Sequence, residues 1–229
     1  MYDVSPLALV FLSVNGCIDW SNQLYFVDEV FSQAERVDAV QNLYLSEFVF
    51  GMMFFWDLPT SLLSKELRDV PMVLHHVGMV LVSAVAMGVL SDGRPLLGYY
   101  APFFFGLIEV SSVPLVLVDM FHPKHKEWSA YLQSEASPFL HQMNETCRIV
   151  FAASFLALRA LYFPFETVMG VVPDLMAYRR SGTDMPTLPL DILVVTNLLF
   201  SMLQLYWGFL IVRTLIKMLS GISSKSKTK

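Results

Sequence analysis

Residues 71–90 read PMVLHHVGMVLVSAVAMGVL, and this stretch decides the fold class. It is long and apolar enough to cross the hydrocarbon core of a membrane as a helix, which takes about 20 residues. Two histidines, His75 and His76, interrupt the apolar run near its start. Because imidazoles are costly in lipid, histidines inside a span are usually functional or face a cavity. The stretch therefore predicts a transmembrane helix that carries candidate functional side chains.

The composition of the whole chain agrees with a membrane protein. Of its 229 residues 55% are hydrophobic and only 15% are charged, with a mean hydropathy of +0.54. The apolar residues fall in long blocks, which is typical of several transmembrane α-helices. A net charge of −5, without a basic stripe, argues against a nucleic-acid partner. Cys17 and Cys147 form no CxxC pattern and imply no disulfide framework.

The apolar blocks predict six transmembrane spans, which we name A to F in chain order. They are residues 6–18, 44–63, 71–90, 97–118, 146–171 and 190–217. Span A is shorter and less apolar than the others. The expected fold is therefore all-α, a polytopic bundle of about six transmembrane helices.

Lysine and arginine predict the orientation of the chain, because these residues are enriched in cytosolic loops. One side of a six-span chain carries Lys65, Arg68, Lys124, Lys126, Lys225, Lys227 and Lys229. The other side carries Arg36, Arg94, Arg179 and Arg180 among many acidic residues. We therefore expect both termini in the cytosol; a five-span chain without span A would move the N-terminus only. Asn144, in a glycosylation pattern, would then be cytosolic and unmodified.

The basic tail, residues 218–229, ends in KSKTK. Its Lys225 and Lys227 resemble the dibasic retrieval signal of endoplasmic-reticulum membrane proteins, which a receptor reads. An ordinary basic cytosolic tail explains the same residues equally well. Both interpretations agree that the C-terminus is cytosolic.

Spans B and C bring three polar side chains to a similar depth in the membrane. A short loop joins the spans, so Asp57 near the end of span B should lie beside His75 and His76 near the start of span C. A hydrogen bond between Asp57 and a histidine would lower the cost of burying both. Neighbouring helical residues point about 100° apart, so at most one histidine faces the centre squarely. The same geometry argues against a metal site.

Spans D, E and F also carry polar residues. Glu109 in span D and Arg159 in span E should pair, since a lone charge at the bilayer centre costs several kcal/mol. Ser112 shares the face of Glu109, and Asn197, Ser201 and Gln204 form one stripe of span F. These faces either hold the bundle together or line a cavity. We favour a structural ion pair for Glu109 with Arg159 and a cavity for the histidines.

Five stretches resemble the TLC-domain family of endoplasmic-reticulum and related membrane proteins. They are FFWDLP at 54–59, LHHVGMV at 74–80, GLIEVSSVPL at 106–115, FLALRALYFP at 155–164 and LQLYWGFLIV at 203–212. The resemblance covers roughly residues 46–217, whereas residues 1–45 match weakly. It implies a lipid-accessible pocket at the centre of the bundle. The expected pocket residues are His75, His76, Asp57, Glu109, Ser112, Arg159, Asn197, Ser201 and Gln204.

One departure from the family bears on function. In ceramide synthases the double histidine is followed by a His-Asp pair and by a further Asp three residues later. Here the matching residues are Ile108, Glu109 and Ser112, so the chain looks more similar to small non-synthase members. We expect an endoplasmic-reticulum protein that binds lipid in its helical core. It would modulate lipid synthesis, lipid homeostasis or membrane lipid composition, without a cofactor or a bound metal.

Two alternatives stay open. The first is an acyltransferase that makes an N-acyl sphingoid lipid from acyl-CoA, by general base or nucleophilic chemistry. Its candidate catalytic residues are His75, His76, Asp57 and Glu109. The second is a cargo or translocation partner without catalysis. Membrane lipids are the expected partners in every case, and other membrane proteins of lipid synthesis are further candidates.

Overall fold

A computed structural model describes residues 6–25, 31–63, 70–121, 137–182, 184 and 186–226. Within these ranges the chain is helical, without a strand, and forms seven helices. They are α1 (Pro6–Tyr25), α2 (Gln33–Asp38), α3 (residues 43–63), α4 (Val70–Ala86), α5 (Ala101–Met120), α6 (Pro138–Arg180) and α7 (Thr187–Ser226). The prediction of an all-α transmembrane bundle is confirmed.

Among the described residues, three segments are long and apolar enough to cross a membrane. They are Ala101–Met120, Pro138–Arg180 and Thr187–Lys217, and α4 is a shorter apolar helix. The number of spans, six, stays a prediction. Several residues on which the predicted orientation depends lie outside the described part of the chain: Lys65, Arg68, Lys124, Lys126, Lys227 and Lys229.

The outward faces of the long helices are apolar and exposed. Leu161 and Phe165 on α6 and Met202 and Phe209 on α7 are examples. Large apolar surfaces are unusual on soluble monomers but necessary where a helix meets lipid tails. The polar side chains discussed below therefore lie on the inner faces of a bundle whose outside suits hydrocarbon.

Helix α1 continues to Tyr25, past the expected end of span A at residue 18. Its last turns are polar, but they have partners in the bundle. Asp19 Oδ2 accepts a hydrogen bond from Tyr44 Oη over 2.5 Å, and Trp20 Nε1 donates to Tyr162 Oη over 3.0 Å. Tertiary contacts thus extend a helix that hydropathy alone would end earlier.

Two helices continue through proline by means of wider turns. A proline in a helix lacks the backbone N–H, and its ring clashes with the carbonyl four residues earlier. Each of three prolines here stands two residues after a π-helical stretch, where the turn is wider. The pairs are Met53–Asp57 with Pro59 in α3, and Phe155–Tyr162 with Pro164 and Thr167–Val171 with Pro173 in α6.

Polar contacts fasten the short helix α2 to the end of α6. Arg36 Nε lies 3.1 Å from Asp174 Oδ2, and Tyr178 Oη donates to Asp38 Oδ1 over 2.9 Å. Tyr100, just before α5, also donates to Asp174 Oδ2 over 2.5 Å.

Candidate functional site

The two histidines of α4 contact different neighbours, as adjacent positions on a helix require. His76 is 5% exposed, and its Nδ1 lies 2.8 Å from Ser61 Oγ on α3. The Ser61 hydroxyl also donates its one proton to the backbone carbonyl of Asp57. Because that proton is used, we assign the Nδ1–H tautomer to His76, which then donates to Ser61. His76 therefore joins α3 to α4.

His75 is directed toward α7. Its ring centroid lies 5.0 Å from that of Phe200 and 6.0 Å from that of Trp207, the latter in an edge-to-face arrangement. Its Nδ1 is buried and has no hydrogen-bond partner among the described residues. A buried imidazole nitrogen without a partner is costly. This makes His75, and not His76, the histidine with unused binding capacity.

A narrow cavity lies between α4, α5, α6 and α7. Its lining combines apolar and polar side chains: His75, Met79, Val82, Phe104, Phe105, Ile108, Glu109, Phe163, Asn197, Phe200 and Gln204. About 10 Å³ is open to the centre of a water-sized sphere, which is room for about one water. Gln204 is 1% exposed, and its Oε1 is buried without a hydrogen-bond partner in the described part of the chain.

Glu109 and Arg159 form the expected ion pair. Arg159 Nη2 donates to Glu109 Oε1 over 2.9 Å and to Ser112 Oγ over 2.8 Å. Arg159 Nε donates to Ser111 Oγ over 2.7 Å and to the Ile108 carbonyl over 3.3 Å. The guanidinium is thus held by one turn of α5, which fixes α5 against α6 beside the cavity.

The polar stripe of α7 is divided between two roles. Asn197 donates from Nδ2 to the Leu193 carbonyl over 2.8 Å, and Ser201 donates to the Asn197 carbonyl over 2.9 Å. Both side chains therefore bond within their own helix. Asn197 and Gln204 line the cavity, whereas Ser201 is buried beside it.

The structure brings four of the expected pocket residues to one cavity: His75, Glu109, Asn197 and Gln204. The lining does not include the other five, which are His76, Asp57, Ser112, Arg159 and Ser201. Asp57 is fully buried on α3, one turn before Ser61, whose hydroxyl contacts His76. A binding or catalytic role for any of these residues stays a prediction.

Sequence reasoning missed the apolar lining and one hydrogen-bond acceptor. Phe200 lies three residues after Asn197 and four before Gln204, which places it on the same face of α7. This spacing could have identified Phe200 as a lining residue. Met79, Val82 and the other apolar residues carry no such signal, because lipid-facing residues have the same composition. Ser111 follows Glu109 by two residues, and its contact with Arg159 depends on the tight turn Leu107–Ser111.

Comparison with protein families decides the identity of the domain. The model of the TLC domain matches residues 4–213. The chain belongs to the TLC-domain family. The match begins at residue 4, so the TLC domain includes α1. A TLC domain indicates a membrane protein linked to lipid metabolism or lipid sensing. Comparison with curated proteins and with solved structures gave no match.

The geometry of this TLC domain limits its chemistry. The Glu109 carboxylate is already paired with Arg159 and would have to break that pair to act as a base. Among the described residues that line the cavity, His75 alone can exchange a proton without breaking an ion pair. The arrangement provides hydrogen bonds inside an apolar shell, which suits binding better than proton transfer.

Proposed function

We propose that this TLC-domain protein binds a lipid in its helical core, in the endoplasmic-reticulum membrane, and modulates lipid synthesis or membrane lipid composition. One observation carries the proposal. The lining of the cavity between four helices is mostly apolar. It also contains two buried polar atoms, on His75 and Gln204, that have no hydrogen-bond partner among the described residues. Binding sites for small molecules have this character, with few polar groups inside an apolar shell.

The size of the cavity implies that side chains move when lipid enters. Space for about one water is too narrow for an acyl chain. Met79, Phe104 and Phe200 line the cavity from three different helices, α4, α5 and α7. Methionine has three rotatable bonds and adapts readily to a new shape. Movement of Met79 is therefore the least costly way to lengthen the cavity.

Binding is favoured over acyl transfer by the state of Glu109. In the acyltransferase alternative the double histidine would work together with an acid, and Glu109 is the acid that remains on the matching stretch. Its carboxylate is neutralised by Arg159 at 2.9 Å. Incubation of the purified protein with acyl-CoA and a sphingoid base should therefore give no N-acylated product. Robust product that is lost in His75→Ala would favour the enzyme.

Native mass spectrometry of the purified protein tests lipid binding directly. Val82→Phe should fill the cavity and abolish co-purification of lipid, because Val82 is buried in the lining. Val77→Phe is the matched control, since Val77 lies on the same helix and is exposed on the outside of the bundle. No co-purifying lipid in the unmodified protein, or equal lipid content in both variants, would contradict the proposal.

The location in the endoplasmic reticulum rests on the family and on the tail. Replacing Lys225 and Lys227 with serine should move a fluorescent fusion of the full chain to later secretory compartments, because the retrieval receptor reads these lysines. Lys229→Ser is the control and should leave the distribution unchanged. An unchanged distribution after the double replacement would leave the tail as an ordinary basic segment.

A further inference from the structure

The charges at the cavity cancel, and this limits the charge of the head group that the cavity can accept. Glu109 is the one charged residue of the described lining, and Arg159 beside it neutralises the carboxylate. An additional phosphate or ammonium would bring an uncompensated charge into the membrane interior. Such a charge costs several kcal/mol. An uncharged head group is therefore the one that this site tolerates.

Gln204 Oε1 and His75 Nδ1 lack hydrogen-bond partners among the described residues, and they define the hydrogen bonds that the head group must supply. Gln204 Oε1 is an acceptor and needs a donor. His75 Nδ1 acts as donor or acceptor, depending on its tautomer. A hydroxyl group has one donor and two acceptor lone pairs, so one hydroxyl can donate to Gln204 and accept from His75. A methyl ester or an acetyl group cannot donate.

The size of the cavity agrees with a hydroxyl. Room for about one water-sized oxygen admits a hydroxyl as the cavity stands, whereas a phosphate with its four oxygens needs side chains to move for the head group as well as for the acyl chains. Apolar side chains surround this point, among them Val82, Ile108 and Phe163. They are suited to the hydrocarbon that continues from the hydroxyl.

We propose that the lipid bound in the core has an uncharged hydroxyl head, recognised by Gln204 and His75. This inference rests on the proposed function, because it names the class of lipid that the same cavity takes. Phospholipids and lipid amines would be excluded because their head groups are charged. Esterified neutral lipids would bind more weakly because they have no hydroxyl to donate a hydrogen bond to Gln204.

Three lipids with the same acyl chains test the inference on the full-length protein, purified and delipidated. They are dioleoylglycerol, its acetylated derivative and dioleoylphosphatidic acid. Binding is measured as the lipid concentration that gives half of the maximal thermal stabilisation. Dioleoylglycerol should bind about tenfold more tightly than the acetylated lipid, since one hydrogen bond is lost. Phosphatidic acid should bind at least as weakly as the acetylated lipid.

The same substitution, glutamine to leucine, is made separately at the cavity and at a control position. Gln204→Leu should weaken dioleoylglycerol binding about tenfold, to the level of the acetylated lipid. It should not lower the melting temperature of the lipid-free protein, because the buried Oε1 that it removes has no hydrogen-bond partner in the part of the chain that the structure describes. Gln142→Leu, at an exposed position of α6, is the control and should bind as the unmodified protein does.

The outcomes separate the inference from the function on which it rests. Equal binding of dioleoylglycerol and its acetylated form, both blocked by Val82→Phe, would retain lipid binding and overturn the hydroxyl head. Tighter binding of phosphatidic acid would overturn it as well. Unchanged dioleoylglycerol binding in Gln204→Leu would mean that a buried water, and not the lipid, satisfies Gln204. No binding of any lipid, with none co-purifying, would instead overturn the proposed function.

Discussion

Arg159 on α6 lies 2.9 Å from Glu109 on α5, and the two side chains are only 8% and 14% exposed. The pair joins two helices at a point where both charged groups are largely withdrawn from solvent. Ser111 and Ser112 accept further hydrogen bonds from the same guanidinium. Because removal of one partner would leave the other charge buried alone, the pair should be far more sensitive to single than to double substitution.

Arg159→Ala should lower the free energy of unfolding by about 3–5 kcal/mol. Glu109→Gln combined with Arg159→Gln should recover part of the loss, since two amides can still bond without charge. The measurement is thermal stability in detergent. Arg179→Ala is a matched control, because its pair with Asp191 has the similar distance of 3.0 Å but is about half exposed; it should cost less than about 1 kcal/mol. Additive losses at positions 109 and 159 would show that the two residues are not coupled.

Gly16 and Gly106 should tolerate no side chain. A Cβ added to Gly16 would overlap the backbone of Gly106, where α1 crosses α5. Gly16→Ala should therefore destabilise the protein by about 1–3 kcal/mol, because backbone atoms must move apart. Gly51→Ala is the control, since its Cβ would meet nothing within 4 Å; it should stabilise α3 by up to about 1 kcal/mol. Equal melting temperatures for the two variants would contradict this packing of α1.

The two histidines should respond differently to alanine substitution. His76→Ala removes a buried hydrogen bond to Ser61 and should destabilise the protein by about 1–3 kcal/mol. His75→Ala removes Nδ1, which has no hydrogen-bond partner within the described ranges, and should change lipid content more than stability. Thermal stability and native mass spectrometry measure the two effects. Neither variant should differ from the unmodified protein in zinc content.

A double-mutant cycle with Ser61→Ala checks the assignment of His76. Ser61 and His76 should show a coupling of about 0.5–3 kcal/mol, as residues in contact do. Ser61 and His75 should add independently. A coupling between Ser61 and His75 with none to His76 would reverse the roles of the two rings and would move the binding group to the other face of α4.

Much of the fold follows from the sequence, for physical reasons that single residues illustrate. Long apolar blocks require helices, because backbone groups in lipid must bond within their own segment. The pairing of Glu109 with Arg159 was predictable, since two opposite charges in neighbouring spans have few other partners. The stripe of α7 followed from the spacing of Asn197 and Gln204.

Other features depend on contacts that no local pattern encodes. The polar end of α1 stays helical because Trp20 and Asp19 bond to distant tyrosines. Because His75 and His76 are adjacent on a helix, their side chains must point in different directions. Which ring meets which neighbour depends on other helices: His76 contacts Ser61, and His75 contacts Phe200. The apolar lining of the cavity has the composition of the lipid-facing surface, so only tertiary structure separates the two.

The last prediction concerns the orientation of α6 in the membrane. One continuous helix joins Pro138 to Arg180, so His141 near its start and Asp184 after its end lie at opposite ends of about 60 Å of helix. The distribution of lysine predicts that the His141 end is cytosolic. Asn144 cannot report this by glycosylation, because it is 3% exposed and would be inaccessible on either side.

Cysteine labelling in sealed microsomes avoids that problem. After Cys17 and Cys147 are replaced by serine, His141→Cys should react with a membrane-impermeant maleimide in intact vesicles, since position 141 is exposed. Asp184→Cys, also exposed, should react only after the vesicles are permeabilised. A glycosylation acceptor engineered between Ser181 and Pro186 should be modified in the same membranes. Labelling of Asp184→Cys in intact vesicles, with His141→Cys protected, would invert the topology and place the double histidine at the lumenal side.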